Sequence, residues 1–193
     1  MHRFFHLISA LILLILLSPL ILVISFVLVF QGPVIFQQQR IGKDNKSFKI
    51  YKFRTMVSER HIFDNSNLHS TKRITRFGKI LRKFSLDELP QLWNIVKGEM
   101  VLVGPRPLPI AYLSKMNEMI KKRHTVYPGI TGWAQVNGRN ILTWKDKFNL
   151  DLWYIDNRNF LLDLKILYLS LVQIFKVSEI NQDEYQTMEE FRG

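Results

Sequence analysis

Residues 7–30, LISALILLILLSPLILVISFVLVF, form an apolar stretch without any ionisable side chain. At a rise of about 1.5 Å per residue, a helix over this stretch is long enough to cross a hydrocarbon core of about 30 Å. A signal peptide fits less well, because the stretch is long for the apolar region of a leader and no small-residue cleavage site follows it. The stretch therefore predicts a membrane-associated helix.

Ser18 and Pro19 interrupt the middle of this stretch. Proline removes one helical donor and clashes with the preceding turn, so we expect a kink there, and the Ser18 hydroxyl could satisfy a freed backbone group. Each apolar arm, 7–17 and 20–30, would be roughly 16 Å long, about one leaflet. Two arrangements stay open: a kinked helix that spans the bilayer, which hydropathy alone favours, and a segment that enters one leaflet and returns.

The composition describes one basic domain behind this apolar segment. The chain has 193 residues, a net charge of +11 and a pI of about 9.9, and this length fits one ordinary domain. A basic body favours an anionic partner: nucleic acid, an anionic membrane leaflet or phosphorylated small molecules. The sequence contains no cysteine, which excludes disulfides and thiolate metal sites.

The body of the chain predicts an α+β fold that is mainly helical. Two β-rich runs at 34–38 and 47–53 flank the turn-prone GKDNKS, which predicts a hairpin, and the polar residues 58–72 predict a surface loop. Residues 160–176 are apolar on most faces and form either a core helix or a helix at the membrane surface. Apolar spacing predicts helices at 74–84, 89–97, 110–124, 144–155 and 160–176, the first of them basic and amphipathic.

The stretch LRKFSLDELPQLW at 81–93 places two adjacent carboxylates, Asp87 and Glu88, after a run of cations. Ser85 and Glu88 fit the S-x-x-E capping box, and acids are favoured near a helix N-terminus, so a helix cap is the simpler interpretation. Pro90 argues for a helix that begins at about residue 89, because proline is favoured at the first helical position. The carboxylates would then lie just outside the helix end, where free N–H groups can hold a phosphate.

A second phosphate signal is VGPRPLP at 103–109, in which Pro105 and Pro107 hold the backbone on both sides of Arg106. This rigidity limits the freedom that a guanidinium loses when it grips a phosphate, although an exposed arginine on a stiff turn is the simpler interpretation. Two carboxylates would repel a substrate phosphate unless a cation intervenes. Magnesium is the usual choice where one or two carboxylates meet phosphates.

Several common kinds of site are absent from the sequence. It contains no P-loop, no Rossmann phosphate loop and no G-x-S-x-G elbow. The five histidines, at positions 2, 6, 61, 69 and 124, lack metal-site spacing. The acidic pair with its nearby cations is therefore the main enzymatic signal.

Several segments together resemble the bacterial sugar transferase family, the monotopic polyprenyl-phosphate phosphoglycosyl transferases. The resemblance covers nearly the whole chain, and its small size and its ending EEFRG are most similar to the PglC-type members. Because the family has a re-entrant helix broken at Ser-Pro, the resemblance implies a membrane segment over 1–30 and a cytosolic catalytic domain with interfacial helices over 31–193. The motifs that carry it are Ser18-Pro19, YKFRTM at 51–56, FGKILRKFSLDELPQLWNIVKGEM at 77–100, GPRP at 104–107 and PGITGWAQVNGRN at 128–140.

The resemblance also implies an activity. Asp87 would attack the β-phosphate of a UDP-sugar, release UMP and carry the phosphosugar covalently until a polyprenyl phosphate, such as undecaprenyl phosphate, takes it. Glu88 would assist proton transfer or hold Mg²⁺ together with Asp87. The other implied residues are Arg106, Lys52 and Arg82 for phosphate and, in a loop that would meet the nucleotide, Gln135, Asn137 and Arg139.

The implied location is the cytoplasmic face of the bacterial inner membrane, at the first membrane step of glycoconjugate and polysaccharide assembly. Membrane lipid, the lipid acceptor and UDP-sugar would be partners, nucleic acid would not, and homo-oligomers or pathway glycosyltransferases stay open. His6 stands where the family often has an acidic residue, which puts an ion pair of the N-terminal arm in doubt. Two rival functions stay open: a single-pass basic protein that binds nucleic acid, and a transferase that forms an ordinary glycosidic bond and releases UDP.

Overall fold

The computed structural model of the chain describes residues 2–57, 74–138, 141–176 and 191. This part of the chain is mainly helical and contains two separate two-stranded sheets, as the α+β prediction requires. The loop predicted at 58–72 lies outside the described residues. The helices are α1 His2–Leu16, α2 Ser18–Val29, α3 Arg76–Lys83, α4 Gln91–Val96, α5 Glu118–Lys121, α6 Trp133–Val136, α7 Trp144–Asn157 and α8 Phe160–Lys176, and the strands are β1 Ile35–Ile41, β2 Ser47–Phe53, β3 Val101–Val103 and β4 Gly129–Thr131.

The apolar N-terminal segment is a bent pair, α1 and α2, whose axes change direction by 62°. Pro19 has no N–H for the Ile15 carbonyl one turn earlier, and the Ser18 hydroxyl donates to that carbonyl instead, at 2.8 Å. The predicted interruption at Ser18-Pro19 is confirmed. No single helix of the described chain is long and apolar enough to cross a membrane, whereas this bent pair meets both criteria when its two helices are taken together.

Both arms of the bent pair pack on the body of the protein. Ala10 of α1 is fully buried in a core cluster with Leu92 and Ile166. Ile24 and Leu28 of α2 are buried in a second cluster, with residues of β2 and α3. The bent pair therefore lies along the body rather than leading away from it. Its other faces expose large apolar side chains, among them Ile12, Ile15, Leu16, Leu22, Val23 and Phe26.

Polar contacts also hold the N-terminal arm. His6 Nε2 lies 3.7 Å from Asp163 Oδ2 of α8, and both side chains are buried. The Arg3 guanidinium donates to the Gly98 carbonyl at 3.5 Å and lies 4.9 Å from the ring centroid of Tyr127. His6 thus meets a carboxylate of the body, so its departure from the family pattern does not leave the arm unanchored.

The predicted hairpin is confirmed. β1 and β2 pair antiparallel, with Gln38 opposite Ile50, and β1 extends to Ile41, three residues beyond the predicted end. The turn between the strands places Asp44 and Asn45 at φ values of 54° and 61°. Asp and Asn adopt this left-handed conformation more readily than other side chains, which fits their place in the turn.

A short parallel pair of strands, β3 and β4, was not predicted. Val101 pairs with Gly129 and Val103 with Thr131. Each strand has only three residues, so neither shows a recognisable periodicity, and their partners are far apart in sequence. Gly129 is required at this pairing, because a Cβ there would lie 2.1 Å from the backbone nitrogen of Gly104. β3 therefore leads directly into the GPRP segment from a fixed position.

Most predicted helices are present, with one clear correction. The predictions at 74–84, 144–155 and 160–176 correspond to α3, α7 and α8. The single helix predicted over 110–124 is wrong: a 3₁₀ turn at Ile110–Lys115, α5 and a second 3₁₀ turn at Lys122–Thr125 replace it. Asn117 explains the break, because its side chain accepts a hydrogen bond from the Ile120 N–H and so starts a new helix.

Candidate active site

The acidic pair lies on a 3₁₀ turn, Leu86–Glu88, between α3 and α4. It precedes α4, as Pro90 predicts, and Pro90 itself is the residue before the first turn of α4. The capping-box interpretation is wrong, because Ser85 is left-handed at φ 54° and its side chain makes no capping hydrogen bond. The Glu88 carboxylate instead faces two cations. Neither carboxylate therefore caps the 3₁₀ turn or α4.

The turn that carries the acidic pair is anchored on the bent N-terminal pair. Leu86 and Leu89 flank the two carboxylates and pack against the cluster that contains Ile24 and Leu28 of α2. Full burial of an aliphatic side chain contributes about 1.5–3 kcal/mol, and these two partly buried leucines each contribute a part of that. The apolar arm α2 and the acidic pair are therefore parts of one packed unit.

Glu88 is the more firmly held of the two carboxylates. Its Oε1 accepts hydrogen bonds from Lys52 Nζ at 2.6 Å and from Arg106 Nη2 at 2.7 Å. The Glu88 and Lys52 side chains are 12% and 18% exposed, whereas that of Arg106 is 49% exposed. Burial alone would raise the pKa of Glu88, but Arg106 and Lys52 outweigh burial and hold this pKa well below its usual range. Glu88 is therefore ionised at neutral pH.

Asp87 has a different environment. It is 9% exposed, and no described residue forms an ion pair with it, whereas Glu88 has two such partners. Burial raises the pKa of Asp87, and Lys52 and Arg82 oppose this rise only in part. Arg82 is oriented by a hydrogen bond from its Nε to Thr55 Oγ1 at 2.9 Å. Asp87 is thus the less stabilised carboxylate, which is the property expected of a nucleophile.

The structure gathers the predicted phosphate-binding cations from three elements: Lys52 from β2, Arg82 from α3 and Arg106 from the segment after β3. Sequence reasoning missed a fourth, Arg40 of β1. Burial and, to a smaller extent, the charge of Arg106 lower the pKa of Arg40 to about 10. A like charge has this effect only at short range, so Arg40 belongs to the same cluster of cations. Such a cluster attracts phosphates.

The predicted nucleotide loop lies on and after α6. The Gln135 amide nitrogen and oxygen are both buried and have no hydrogen-bond partner within the described chain. The Asn137 amide donates to the Trp133 carbonyl at 2.8 Å. In the part of the chain that the structure describes, no hydrogen bond joins either residue to the acidic pair. Arg139 lies outside the described residues, so its predicted role stays a prediction.

Asn94 is a site-building residue that sequence reasoning missed. It is completely buried on α4; its Oδ1 accepts from the Tyr51 N–H at 3.1 Å, and its Nδ2 donates to the Lys49 carbonyl and to Glu99 Oε2, both at 2.7 Å. The amide thus pairs with β2 as a neighbouring strand would. It fixes the strand just before Lys52 to the helix just after the acidic pair.

A buried ion pair between Arg123 and Asp151 contacts the backbone of Arg106. Arg123 and Asp151 are each 3% exposed, and Arg123 Nη2 donates to Asp151 Oδ2 at 2.6 Å and to the Arg106 carbonyl at 2.8 Å. No local pattern could have revealed the pair, because its two residues are 28 positions apart. The pair joins the 3₁₀ turn Lys122–Thr125 to α7.

The residue types fit a magnesium ion that substrate phosphates help to bind. Mg²⁺ is usually held by one or two carboxylates together with phosphate oxygens rather than by a complete protein cage. Asp87 and Glu88 supply two adjacent carboxylates, and the described residues contain no group of three or more acidic or histidine side chains that could hold a metal. The donor set therefore fits this mode of binding.

Comparison with known proteins gives a family match over most of the chain. Residues 1–177 match the profile of the family described as "Bacterial sugar transferase". An uncharacterized sugar transferase, EpsL, of Bacillus subtilis is 47% identical over 195 residues, which cover 100% of this chain and 96% of the relative. The similarity therefore extends through both the apolar segment and the body.

Two further relatives carry more specific names. The UDP-glucose:undecaprenyl-phosphate glucose-1-phosphate transferase of Klebsiella pneumoniae is 40% identical over 89% of this chain, and the UDP-N-acetylgalactosamine-undecaprenyl-phosphate N-acetylgalactosaminephosphotransferase of Aeromonas hydrophila is 38% identical over 80% of it. The matched region is 38% of each of these relatives, so the chain spans well under half of their length.

Proposed function

The chain belongs to the bacterial sugar transferase family, and on that premise we propose that it moves a sugar 1-phosphate from a UDP-sugar to a polyprenyl phosphate, with release of UMP. The observation that carries the proposal is the asymmetry of the buried acidic pair: Glu88 is neutralised by two cations, whereas Asp87 has no ion pair within the described chain. The names of the Klebsiella and Aeromonas relatives support the two substrate classes.

In the first half-reaction, a carboxylate oxygen of Asp87 attacks the β-phosphorus of the UDP-sugar. The bond from that phosphorus to the bridging oxygen breaks, and UMP leaves with the electron pair. Arg106 can turn its half-exposed guanidinium to the phosphates, and Lys52 and Arg82 add positive charge where the transition state spreads its negative charge. Because both the UDP-sugar and the acceptor are anions, direct transfer of the sugar phosphate between them is difficult. The covalent intermediate divides this transfer into two steps.

In the second half-reaction, an oxygen of the polyprenyl phosphate attacks the same phosphorus, and the Asp87 carboxylate leaves. Because each displacement is in line, the acceptor approaches from the side that UMP has vacated. Arg106 would therefore meet the phosphate of UMP first and the phosphate of the lipid second. The products are a polyprenyl-diphosphate-linked sugar and the original carboxylate.

Glu88 serves this reaction as a fixed anion. Its depressed pKa makes proton transfer at neutral pH a poor role for it. Its carboxylate orients Lys52 and Arg106 beside Asp87. We propose that Asp87 and Glu88 also hold Mg²⁺, which when bound would offset the charge of the substrate phosphates.

We propose that α1 and α2 form a re-entrant membrane segment, so that residues 31–193 work at the cytoplasmic face of the bacterial inner membrane. Two observations support this arrangement. Both arms bury side chains in the same body, and their opposite faces expose large apolar side chains. A helix that crossed the bilayer would carry its far half away from the body. The acidic pair, packed on α2, would lie near the headgroups, where the lipid phosphate is found.

The proposal is tested by UMP release from UDP-sugars in the presence and absence of polyprenyl phosphate. Asp87→Asn and Asp87→Ala should abolish release, and radiolabelled sugar phosphate should stay on the wild-type protein when no acceptor is supplied. Release of UDP in place of UMP would point instead to an ordinary glycosyltransferase. Full activity of either Asp87 variant would end the proposal.

Re-entrance has its own test. A single cysteine placed near residue 2, in a chain that has no native cysteine, should react with a membrane-impermeant thiol reagent only after the cells are opened. Labelling of intact cells from the periplasmic side would show that the segment spans the bilayer.

A further inference from the structure

The segment that carries Arg106 has few backbone donors. Three prolines in 105–109 have no N–H, so only Arg106 and Leu108 can donate from the backbone there. The segment is held through its carbonyls instead: that of residue 105 accepts from the Gly129 N–H at 3.0 Å, and that of Leu108 from the Ile41 N–H at 2.9 Å. These two contacts lie on either side of Arg106.

The carbonyl of Arg106 itself is held by a buried side chain. Arg123 donates to this carbonyl at 2.8 Å, and its Nε and Nη2 donate to Asp151 Oδ2 at 3.1 and 2.6 Å. The guanidinium also lies 5.6 Å from the ring centroid of Phe148 on α7. The Arg123 guanidinium thus contacts three groups at once: the Asp151 carboxylate, the Phe148 ring and the Arg106 carbonyl of the candidate active site.

Stability alone is a weak reason for such an ion pair. Removing two charges from water is costly, and well-packed apolar residues of similar volume are often as stable as a buried pair. The contact with the Arg106 carbonyl gives a better reason. The Arg106 side chain is half exposed, so packing does little to orient it. The hydrogen bond to Glu88 holds the tip of the guanidinium, and the backbone sets the point from which the side chain reaches it.

We propose that Arg123 and Asp151 are positioning residues for Arg106. Asp151 orients Arg123, and Arg123 fixes the Arg106 backbone so that the guanidinium reaches Glu88 and a substrate phosphate from one place. The inference rests on the proposed function, because that function assigns Arg106 to the phosphate. A displacement of about 1 Å in a group of this kind can cost about a hundredfold in rate.

The first test is Asp151→Asn, which keeps the shape of the side chain and one acceptor oxygen but removes the charge. We expect kcat/KM for the UDP-sugar, measured as UMP release by the full chain in detergent, to fall about tenfold or more. Inhibition by added UMP should weaken by a similar factor, because UMP would use the same arginine. Unchanged kcat/KM in a folded Asp151→Asn protein would overturn the inference.

Asp156→Asn is the matched control. Asp156 also lies on α7, and its ion pair with Lys122, at 3.0 Å, joins the same helix to the same 3₁₀ turn. Both side chains are more than half exposed, and within the described chain no hydrogen bond or ion pair joins either of them to Arg106. This variant should keep kcat/KM within about twofold of wild type, since exposed pairs contribute little. A fall in kcat/KM equal to that of Asp151→Asn would show that only the connection between α7 and the 3₁₀ turn matters, which contradicts the inference.

A double-mutant cycle separates positioning from general stability. If Asp151 acts through Arg106, then Asp151→Asn should cause little further loss in an Arg106→Ala background. An equal fractional loss in both backgrounds would assign the pair a structural role and overturn the inference. If Asp151→Asn fails to fold, Arg123→Lys replaces it in the double-mutant cycle with Arg106→Ala. Lysine keeps the positive charge but lacks the planar guanidinium that reaches two acceptors.

The outcomes also distinguish this inference from the proposed function. Full activity of Arg106→Ala would remove Arg106 from the phosphate site and so contradict the proposed function at that residue. An impaired Arg106→Ala protein with fully active Asp151→Asn and Arg123→Lys proteins would overturn the positioning role alone.

Discussion

Replacing Asn94 with alanine tests whether one buried amide builds the candidate active site. The substitution leaves the Tyr51 N–H, the Lys49 carbonyl and one Glu99 oxygen without their partner. Because these bonds hold β2 against α4, the change should lower stability and also displace Lys52, the next residue of the strand after Tyr51. We expect both a lower Tm and a lower rate of UMP release.

The magnitude follows from the three lost bonds. Hydrogen bonds between neutral groups contribute about 1 kcal/mol each, and one to a charged group contributes about 1.5–3 kcal/mol. Lys49 is exposed and Glu99 keeps its contact with Lys97 at 2.7 Å, so water and Lys97 recover part of this sum. We expect a loss of about 2–4 kcal/mol, which for a chain of this length lowers Tm by about 4–16 °C.

Thermal unfolding followed by tryptophan fluorescence in detergent measures the first effect, and UMP release well below both transitions measures the second. Asn157→Ala is the control, because Asn157 is an exposed residue at the end of α7. Its side-chain amide donates to the Trp153 carbonyl, whereas its other hydrogen bond, from Asn159, uses the backbone carbonyl that alanine keeps. It should change stability by less than about 0.5 kcal/mol. An unchanged Tm for Asn94→Ala would refute the stability argument, and full activity at a lowered Tm would refute the link to Lys52.

Three further predictions concern ionisation and the apolar N-terminal segment. Burial raises the pKa of Asp87, so its ionised form is disfavoured in the folded state. As the pH falls, UMP release should therefore decline at a pH above the pKa of an ordinary aspartate. Asp87→Asn, which carries no charge, should have a higher Tm than wild type at pH 7. A lower Tm for this variant would contradict the argument. Burial lowers the pKa of His124 from 6.5 to about 4, so the unfolded chain binds a proton that the folded chain does not, and stability should be lost as pH falls from 6.5 to 4. His124→Gln should flatten this part of the Tm–pH curve, whereas a decline as steep as that of wild type would refute the assignment. Replacing Ser18 and Pro19 together with leucine removes the cause of the bend; the residue-2 cysteine should then react with impermeant reagent in intact cells, and continued protection would show that other contacts fix the topology.

The sequence predicted those features that depend on local chemistry. The break at Ser18-Pro19, the hairpin and the position of the acidic pair ahead of α4 all follow from prolines, turn residues and periodicity. The capping-box prediction was wrong because it considers only residues close in sequence. Lys52 and Arg106, which are distant in sequence, are better partners for the Glu88 carboxylate than a helix end.

The features that were missed depend on partners distant in sequence. Asn94 bonds residues 43 and 45 positions away, so its sequence context gives no sign of this role. The parallel pairing of β3 with β4 was not predicted for the same reason, because the paired residues are 28 positions apart in sequence, as Val101 and Gly129 are. The broken helix at 110–124 is different, because Asn117 is a local capping signal that competes with the helical spacing of the apolar residues around it.

The packing of α1 and α2 has a consequence for how this protein can be handled. Ala10, Ile24 and Leu28 belong to the apolar segment and yet fill space inside the body. Removing a buried aliphatic side chain costs about 2–5 kcal/mol, and whole-domain stabilities are about 5–15 kcal/mol. Trimming the segment to obtain a water-soluble catalyst would therefore open the core itself. In the proposed re-entrant arrangement, the side chains that anchor the chain in the lipid and those that complete its core would belong to the same two helices.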